Sequence, residues 1–119
     1  MWIMLSDCFL SIVDKDCGPD ELLVRARRQG DIQRVFPDAE VIEDNRRDYL
    51  FRAVVPRFRV AMAVGLATMK IDYSNFKDSV ADHDLHHAYM QVWLNMVELQ
   101  PSPPYGSKVV PARAFLEGL

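Results

Sequence analysis

The first third of the chain has the pattern of short strands. Residues 2–5 and 9–13 are apolar runs separated by the polar pair Ser6-Asp7. This pattern predicts two short strands joined by a tight turn, or one bent strand. Residues 22–27 alternate, which predicts a strand with two distinct faces. We expect Leu22, Val24 and Ala26 on one face, and Leu23, Arg25 and Arg27 on the other.

A short helix and two more strands are predicted next. Residues 31–36 form the helix, with Asp31 in the capping position and Pro37 ending it. Residues 39–43 have charged ends, which favours an edge strand. Residues 48–55 alternate again. There we expect Tyr49, Phe51, Ala53 and Val55 on one side and Leu50, Arg52 and Val54 on the other.

Two longer helices complete the pattern. Pro56 opens a helix that runs to Lys70, and its apolar residues from Val60 to Met69 predict burial on more than one side. Residues 83–99 form the last helix, where we expect Trp93 to be a buried anchor. Its apolar stripe comprises Leu85, Tyr89, Val92, Met96 and Leu99, widened by Trp93 and Val97.

The resulting order of elements is β-β-β-α-β-β-α-α. Hairpin strands mixed with helices predict an α+β fold, an antiparallel sheet of four or five strands with helices packed on one face. Residues 1–100 would form a single domain, and residues 101–119 an extended, proline-containing tail. Near its end, Phe115 and Leu116 would dock on the domain itself, on a second subunit or on another partner.

Composition narrows the class of protein. The chain has 119 residues and a net charge of −3, which argues against a general nucleic-acid binder. Two cysteines are too few for a disulfide scaffold, so we expect both to be reduced. The N-terminus lacks the basic region of a signal peptide. No apolar run reaches the roughly 18 residues that span a bilayer, so we expect no membrane association and a cytoplasmic location.

Arginine is the residue type with the clearest pattern. Nine of the ten arginines lie between Arg25 and Arg59. Strand alternation places Arg25, Arg27 and Arg52 on one sheet face, and these three are the candidate binding residues. A protein partner is the first candidate ligand of that face, and RNA is the second. The alternative is an ordinary exposed face whose arginines pair with nearby acids: Glu40, Glu43, Asp44 and Asp48.

Two other polar groups are candidate sites. His83, His86 and His87 stand beside Asp82 and Asp84, and imidazoles four residues apart can share a metal. A third ligand is lacking, so a solvent-facing first turn capped by Asp82 is favoured. Asn75 and Lys77 are a candidate binding loop in the connection before the last helix. We expect no catalytic residue, no metal and no cofactor, because no nucleophile motif or glycine-rich phosphate loop occurs.

Several segments together resemble a family of small uncharacterised bacterial proteins that also occur in phages and other mobile elements. The resemblance covers residues 1–100 and implies no established activity. In that family a histidine just before Ala88-Tyr89 belongs to the pattern, and His83 departs from it. The segments are Met1-Trp2-Ile3, Leu22-Leu23-Val24-Arg25-Ala26-Arg27, Gly30-Asp31-Ile32, Phe36-Pro37-Asp38-Ala39-Glu40-Val41, Asp48-Tyr49 with Arg52-Ala53, Ile71-Asp72-Tyr73 with Asn75-Phe76-Lys77, and Ala88-Tyr89 with Val92-Trp93.

The sequence thus favours a non-enzymatic binding module that acts through protein–protein contacts, with a homodimer as one form of such contact. The alternative is a phage or mobile-element regulator, such as an anti-CRISPR-like inhibitor of a host defence nuclease, or a nucleic-acid-associated protein. An apolar protein interface would be insensitive to salt, whereas phosphate contacts weaken steeply with it.

Overall fold

The computed structural model describes residues 1–101, which form an α+β fold. Its five strands make one antiparallel sheet in the order β1-β2-β3-β5-β4. The predicted order of strands and helices is confirmed. The strands are β1 (Trp2–Met4), β2 (Phe9–Val13), β3 (Glu21–Ala26), β4 (Ile42–Glu43) and β5 (Phe51–Pro56). The helices are α1 (Asp31–Val35), α2 (Arg57–Met69) and α3 (His83–Val97), and a 3-10 turn covers Lys77–Ser79.

The N-terminal apolar runs are two strands, not one bent strand. The turn between them is closed by the backbone N–H of Leu5, which donates to the carbonyl oxygen of Cys8 at 2.9 Å. At the other end of the hairpin, the N-terminal ammonium group of Met1 donates to the carbonyl oxygen of Ile12 at 2.7 Å. The polar pair Ser6-Asp7 therefore lies in a tight turn, as its position between apolar runs predicts.

Alternation along the strands builds the core on one face of the sheet. Val24 of β3 lies opposite Ala53 of β5, and Ala26 lies opposite Phe51. Two helices cover this face with apolar side chains: α1, together with Phe36 directly after it, and α2. The buried cluster comprises Leu10, Ile12, Val24, Ala26, Ile32, Phe36, Phe51, Ala53, Val55 and Val60. The intervening strand residues, including Arg25 and Arg52, project to the opposite face.

Helix α1 begins differently from the prediction. Gly30 is its N-cap residue, in the left-handed conformation that glycine adopts readily (φ 91°), and no side chain caps the helix. Asp31 is instead buried, and its carboxylate accepts the backbone N–H of Phe9 at 3.3 Å. The predicted capping role of Asp31 is therefore wrong, because its side chain satisfies the neighbouring strand instead of its own helix.

Other boundaries differ by one to three residues: β5 begins at Phe51 instead of residue 48, and α3 ends at Val97 instead of residue 99. The predicted strand over 39–43 is reduced to Ile42 and Glu43, although it lies at the sheet edge as predicted. Pro56 ends β5 and is the N-cap of α2, so the helix begins one residue later than predicted.

Helix α2 buries less of its surface than its composition suggests. Val60 is buried, and Ala63 and Val64 are half-buried against the core. Burial on more than one side is not seen in residues 1–101. Large apolar side chains on the outer side are exposed: Phe58, Met62, Leu66 and Met69.

The described part of the chain divides into two compact units, of which the first is Met1–Phe76 and the second begins at Lys77. The sheet, α1 and α2 belong to the first unit. The predicted tail over 101–119 lies outside the described residues apart from Pro101. The single domain predicted over residues 1–100 stays a prediction. Among the helices of residues 1–101, none has both the length and the apolar character needed to cross a bilayer.

The second unit begins with the 3-10 turn and contains α3. The carboxylate of Asp82 accepts the backbone N–H of Leu85 at 2.9 Å, so the predicted cap is confirmed. Leu85 and Tyr89 are buried, as the stripe predicts, whereas Met96 and Leu99 at its far end are exposed. Trp93 is 38% exposed. The predicted burial of this anchor is therefore wrong, and the ammonium group of Lys77 lies over its ring, 4.7 Å from the ring centre.

Candidate functional site

Two of the three candidate binding arginines, Arg25 and Arg52, lie on one face of the sheet, as predicted. The predicted strand over 22–27 ends at Ala26, so Arg27 lies just beyond the sheet. Arg25 of β3 is directly opposite Arg52 of β5, and on its other side it is opposite Ser11 of β2. Directly opposite residues in antiparallel strands project to the same face. Arg27 is two residues beyond Arg25 and its guanidinium reaches the same aromatic ring. The arginine face is defined here as Ser11, Arg25, Arg27, Tyr49 and Arg52.

Tyr49 is the residue of this face that alternation assigned wrongly. The prediction placed it with Phe51 and Ala53 on the side opposite Arg52, but β5 begins only at Phe51, so the alternation does not extend to Tyr49. Its ring is buried beneath two guanidinium groups, with the carbon Cζ of Arg25 at 4.5 Å and that of Arg27 at 4.2 Å from the ring centre. Stacking of this kind orients arginine side chains and is favourable for a cation.

Most described arginines have an aspartate nearby. Arg27 is 3.2 Å from Asp48, and Arg52 is 3.7 Å from Asp16 in the loop between β2 and β3. Eight of the nine described arginines have a carboxylate oxygen within 4.0 Å: Arg27, Arg28, Arg34, Arg46, Arg47, Arg52, Arg57 and Arg59. Ion pairing is thus the ordinary state of these side chains. Asp48 is a partner of this face as anticipated, whereas Asp44 pairs with Arg46 and Arg47 in its own turn. The acidic loop before β3 supplies Asp14 and Asp16 in addition.

Arg25 is the exception within residues 1–101. It is half-buried, and no described carboxylate forms an ion pair with it. Its Nη2 donates to the hydroxyl oxygen of Ser11 at 2.7 Å, whereas its Nε is buried and has no hydrogen-bond partner. A guanidinium is normally paired when it leaves water, because burying an uncompensated charge is costly. The arginine face therefore holds one oriented, partly desolvated cation that lacks an anion.

The cysteines do not supply a nucleophile for this face. Cys8 is fully buried, and burial raises the pKa of its thiol to about 12, with the charges of Asp7 and Asp31 acting in the same direction. A thiol that stays protonated is a poor nucleophile. Cys17 is half-buried beside a carboxylate oxygen of Asp14 and the carbonyl oxygen of Glu21. Neither cysteine forms a disulfide in this structure, and their reduced state stays a prediction.

The histidines at the start of α3 have local contacts. His83 lies 3.4 Å from the carboxylate of Asp84 with both side chains exposed, and His87 lies 3.0 Å from the amide nitrogen of Gln91. Among the residues that the structure describes, there is no group of three or more histidine, cysteine or acidic side chains placed to hold a metal ion.

The candidate loop of Asn75 and Lys77 is divided between the two units, since Asn75 belongs to the first and Lys77 to the second. Within the second unit, the ammonium group of Lys77 lies 4.7 Å from the centre of the Trp93 ring. Lys77 thus has an aromatic contact of its own, which the sequence did not indicate. A binding role for Asn75 and Lys77 stays a prediction.

The first unit also contains an apolar cavity of about 190 Å³ beneath α2, which sequence reasoning did not find. Its lining is apolar except for Thr68 and Tyr73. The hydroxyl group of Thr68 already donates to the carbonyl oxygen of Val64 in its own helix. Such a lining suits an apolar group and offers no acid or base for catalysis.

Comparison with known proteins gave no match to a family model, to a curated protein or to a solved structure. The bacterial and phage family resemblance and the cytoplasmic location both stay predictions.

Proposed function

We propose that the protein is a non-enzymatic binding module that recognises a protein partner through its arginine face. The observation that carries the proposal is Arg25, a half-buried guanidinium that is held by Ser11 and Tyr49 but has no carboxylate partner among the described residues. A carboxylate on the surface of the partner would supply the missing counter-ion.

The surroundings of Arg25 favour a specific contact over general attraction of anions. Its side chain is fixed by the hydroxyl of Ser11 on one side and the ring of Tyr49 on the other, so little conformational entropy remains to be lost on binding. A guanidinium presents a planar set of donors that matches a carboxylate in two parallel hydrogen bonds. Aromatic residues and arginines are also the side chains most enriched at the centres of protein interfaces.

Phosphate is the competing ligand, because the same donor set fits it. Two features weigh against nucleic acid. The other eight described arginines already have carboxylates within 4.0 Å, and the chain as a whole has a net charge of −3. Nucleic-acid binding generally uses many phosphate contacts at once, whereas this face offers one uncompensated cation within the described residues.

The test is quantitative capture from the native host on immobilised full-length protein, with mass spectrometry, comparing the parent with Arg25→Gln and Arg25→Lys. The control is Arg46→Gln, which removes the same charge from an exposed side chain paired within its own turn. We expect the parent and the control to capture the same host protein. The amount captured by Arg25→Gln should be at least tenfold lower. Equal capture by all variants would overturn the proposal, as would nuclease-sensitive capture that falls steeply with salt.

A further inference from the structure

Helix α2 presents an apolar surface to solvent. We define the outer stripe of α2 as the residues that recur at three- and four-residue steps on its outer side: Phe58, Ala61, Met62, Gly65, Leu66 and Met69. Its four large side chains are 73%, 50%, 53% and 83% exposed in chain order. The stripe extends about 16 Å along the helix axis. Scattered apolar residues are common on surfaces, but a continuous stripe on a helix marks an interaction surface.

Gly65 is a second, independent sign that something approaches this side of the helix. A Cβ atom added at Gly65 would meet nothing within 4 Å, so packing inside the chain does not require glycine there. Glycine in a helix interior costs about 1 kcal/mol relative to alanine. A close approach by another helix gives this position a reason to lack a side chain.

The order of residues along the stripe fits a second copy of the same chain. We infer that the protein forms a twofold-symmetric dimer in which the two α2 helices pack antiparallel through their outer stripes. With the twofold axis between Ala63 and Val64, Met62 faces Gly65 of the second copy and Leu66 faces its Ala61. Each large side chain at the centre thus meets a small one, which is the self-complementarity that an isologous interface needs.

The ends of the stripe match in the same register. Phe58 faces Met69 of the second copy, a pairing of aromatic ring and thioether that is favourable in proteins. Just outside it, Arg57 lies 3.4 Å from Asp14 at one end, and exposed Lys70 and Asp72 stand at the other. In this register Arg57 faces Lys70 of the second copy, and each of these two cations has an acid beside it, Asp14 at Arg57 and Asp72 two residues after Lys70. Antiparallel packing also brings opposite poles of the two helix dipoles together.

The inference is independent of the arginine face and is tested on the full chain by sedimentation equilibrium from about 1 to about 200 µM. We expect a monomer–dimer equilibrium for the parent. Leu66→Lys should raise the dissociation constant about 100-fold or more, because both copies carry the substitution and two apolar contacts are lost. The matched control is Ile42→Lys on β4, which makes the same type of change at a 62% exposed apolar residue and should leave the dimer unchanged.

Gly65→Leu tests the register and separates assembly from folding. Its side chain enters open space in the monomer, and leucine is a better helix former than glycine, so the thermal midpoint of the monomer should not fall. The same variant should abolish dimer formation, because the leucine occupies the space of Met62 from the second copy. A parent that stays monomeric throughout, or a dimer that survives Leu66→Lys or Gly65→Leu, would overturn the inference.

Discussion

Arg25 and Arg27 share one aromatic partner, since both guanidinium groups lie over the ring of Tyr49, at 4.5 and 4.2 Å from its centre. Two like charges are held side by side by this ring. Asp48 balances Arg27, and no described carboxylate balances Arg25. The ring is therefore a structural element of the arginine face as well as part of the protein interior.

Replacement of Tyr49 should show how much the ring contributes. Tyr49→Phe keeps the ring and should lower the free energy of unfolding by about 1 kcal/mol or less. Tyr49→Leu removes both cation–ring contacts as well as buried volume and should cost about 2–4 kcal/mol. The measurement is urea unfolding followed by far-ultraviolet circular dichroism. Equal losses for the two variants would show that the ring does not stabilise the arginines.

The cap of α3 makes a prediction in the second unit. Asp82→Ala removes the acceptor for the backbone N–H of Leu85 and should destabilise the helix by about 1 kcal/mol. Asp82→Asn keeps an acceptor oxygen at the same place and should destabilise the helix by only a few tenths of the loss in Asp82→Ala. Thermal unfolding by circular dichroism measures the difference. A parent-like Asp82→Ala variant would mean that the capping hydrogen bond is not formed in solution.

Strand alternation was sufficient to predict where Arg25 and Arg52 lie, because β3 and β5 are regular over all six of their paired residues. The same reasoning was wrong for Tyr49, which lies just before β5 begins. A sequence pattern cannot show the residue at which a strand loses its regular backbone. Tyr49 was therefore placed on the side away from Arg52, although its ring packs against Arg25 and Arg27.

The ion pairs depend on contacts that are distant in sequence. Asp16 reaches Arg52, and Asp14 reaches Arg57, across more than thirty positions. The prediction instead chose acids close to the arginines along the chain. Local spacing did identify the Asp82 cap, which acts over three residues. The lack of a counter-ion at Arg25 could not be predicted, because it depends on the folded position of each aspartate in the loop between β2 and β3.

Metal removal should leave stability unchanged. His83 and His87 have local partners, and the described residues contain no cluster suited to an ion. The thermal midpoint in excess EDTA should therefore match that in buffer within about 1 °C, since a ligand that binds only the folded state would raise it. A midpoint that falls by many degrees in EDTA, and returns when zinc is added, would contradict this expectation.

Alkaline pH should destabilise the protein through Cys8. Burial raises the pKa of its thiol from an ordinary 9.0 to about 12, so the unfolded chain releases this proton at a lower pH than the folded chain does. Between pH 9 and pH 12 the unfolded state therefore binds fewer protons than the folded state. The stabilising contribution is therefore complete below pH 9 and is lost as the pH rises towards 12, by up to about 1.4 kcal/mol per pH unit.

The test of Cys8 compares the pH dependence of stability in matched variants, because tyrosines and lysines also titrate in this range. Urea unfolding from pH 7 to about pH 10.5 gives the slope for the parent and for Cys8→Ala. We expect the free energy of unfolding to fall less steeply with pH in Cys8→Ala than in the parent. At pH 7 this variant is less stable than the parent, because a buried side chain has been shortened. Cys17→Ala retains the buried thiol of Cys8 and should keep the slope of the parent. If the free energies of unfolding of Cys8→Ala and the parent fall in parallel with pH, the thiol of Cys8 ionises as readily in the folded chain as in the unfolded one. Burial would then not raise its pKa.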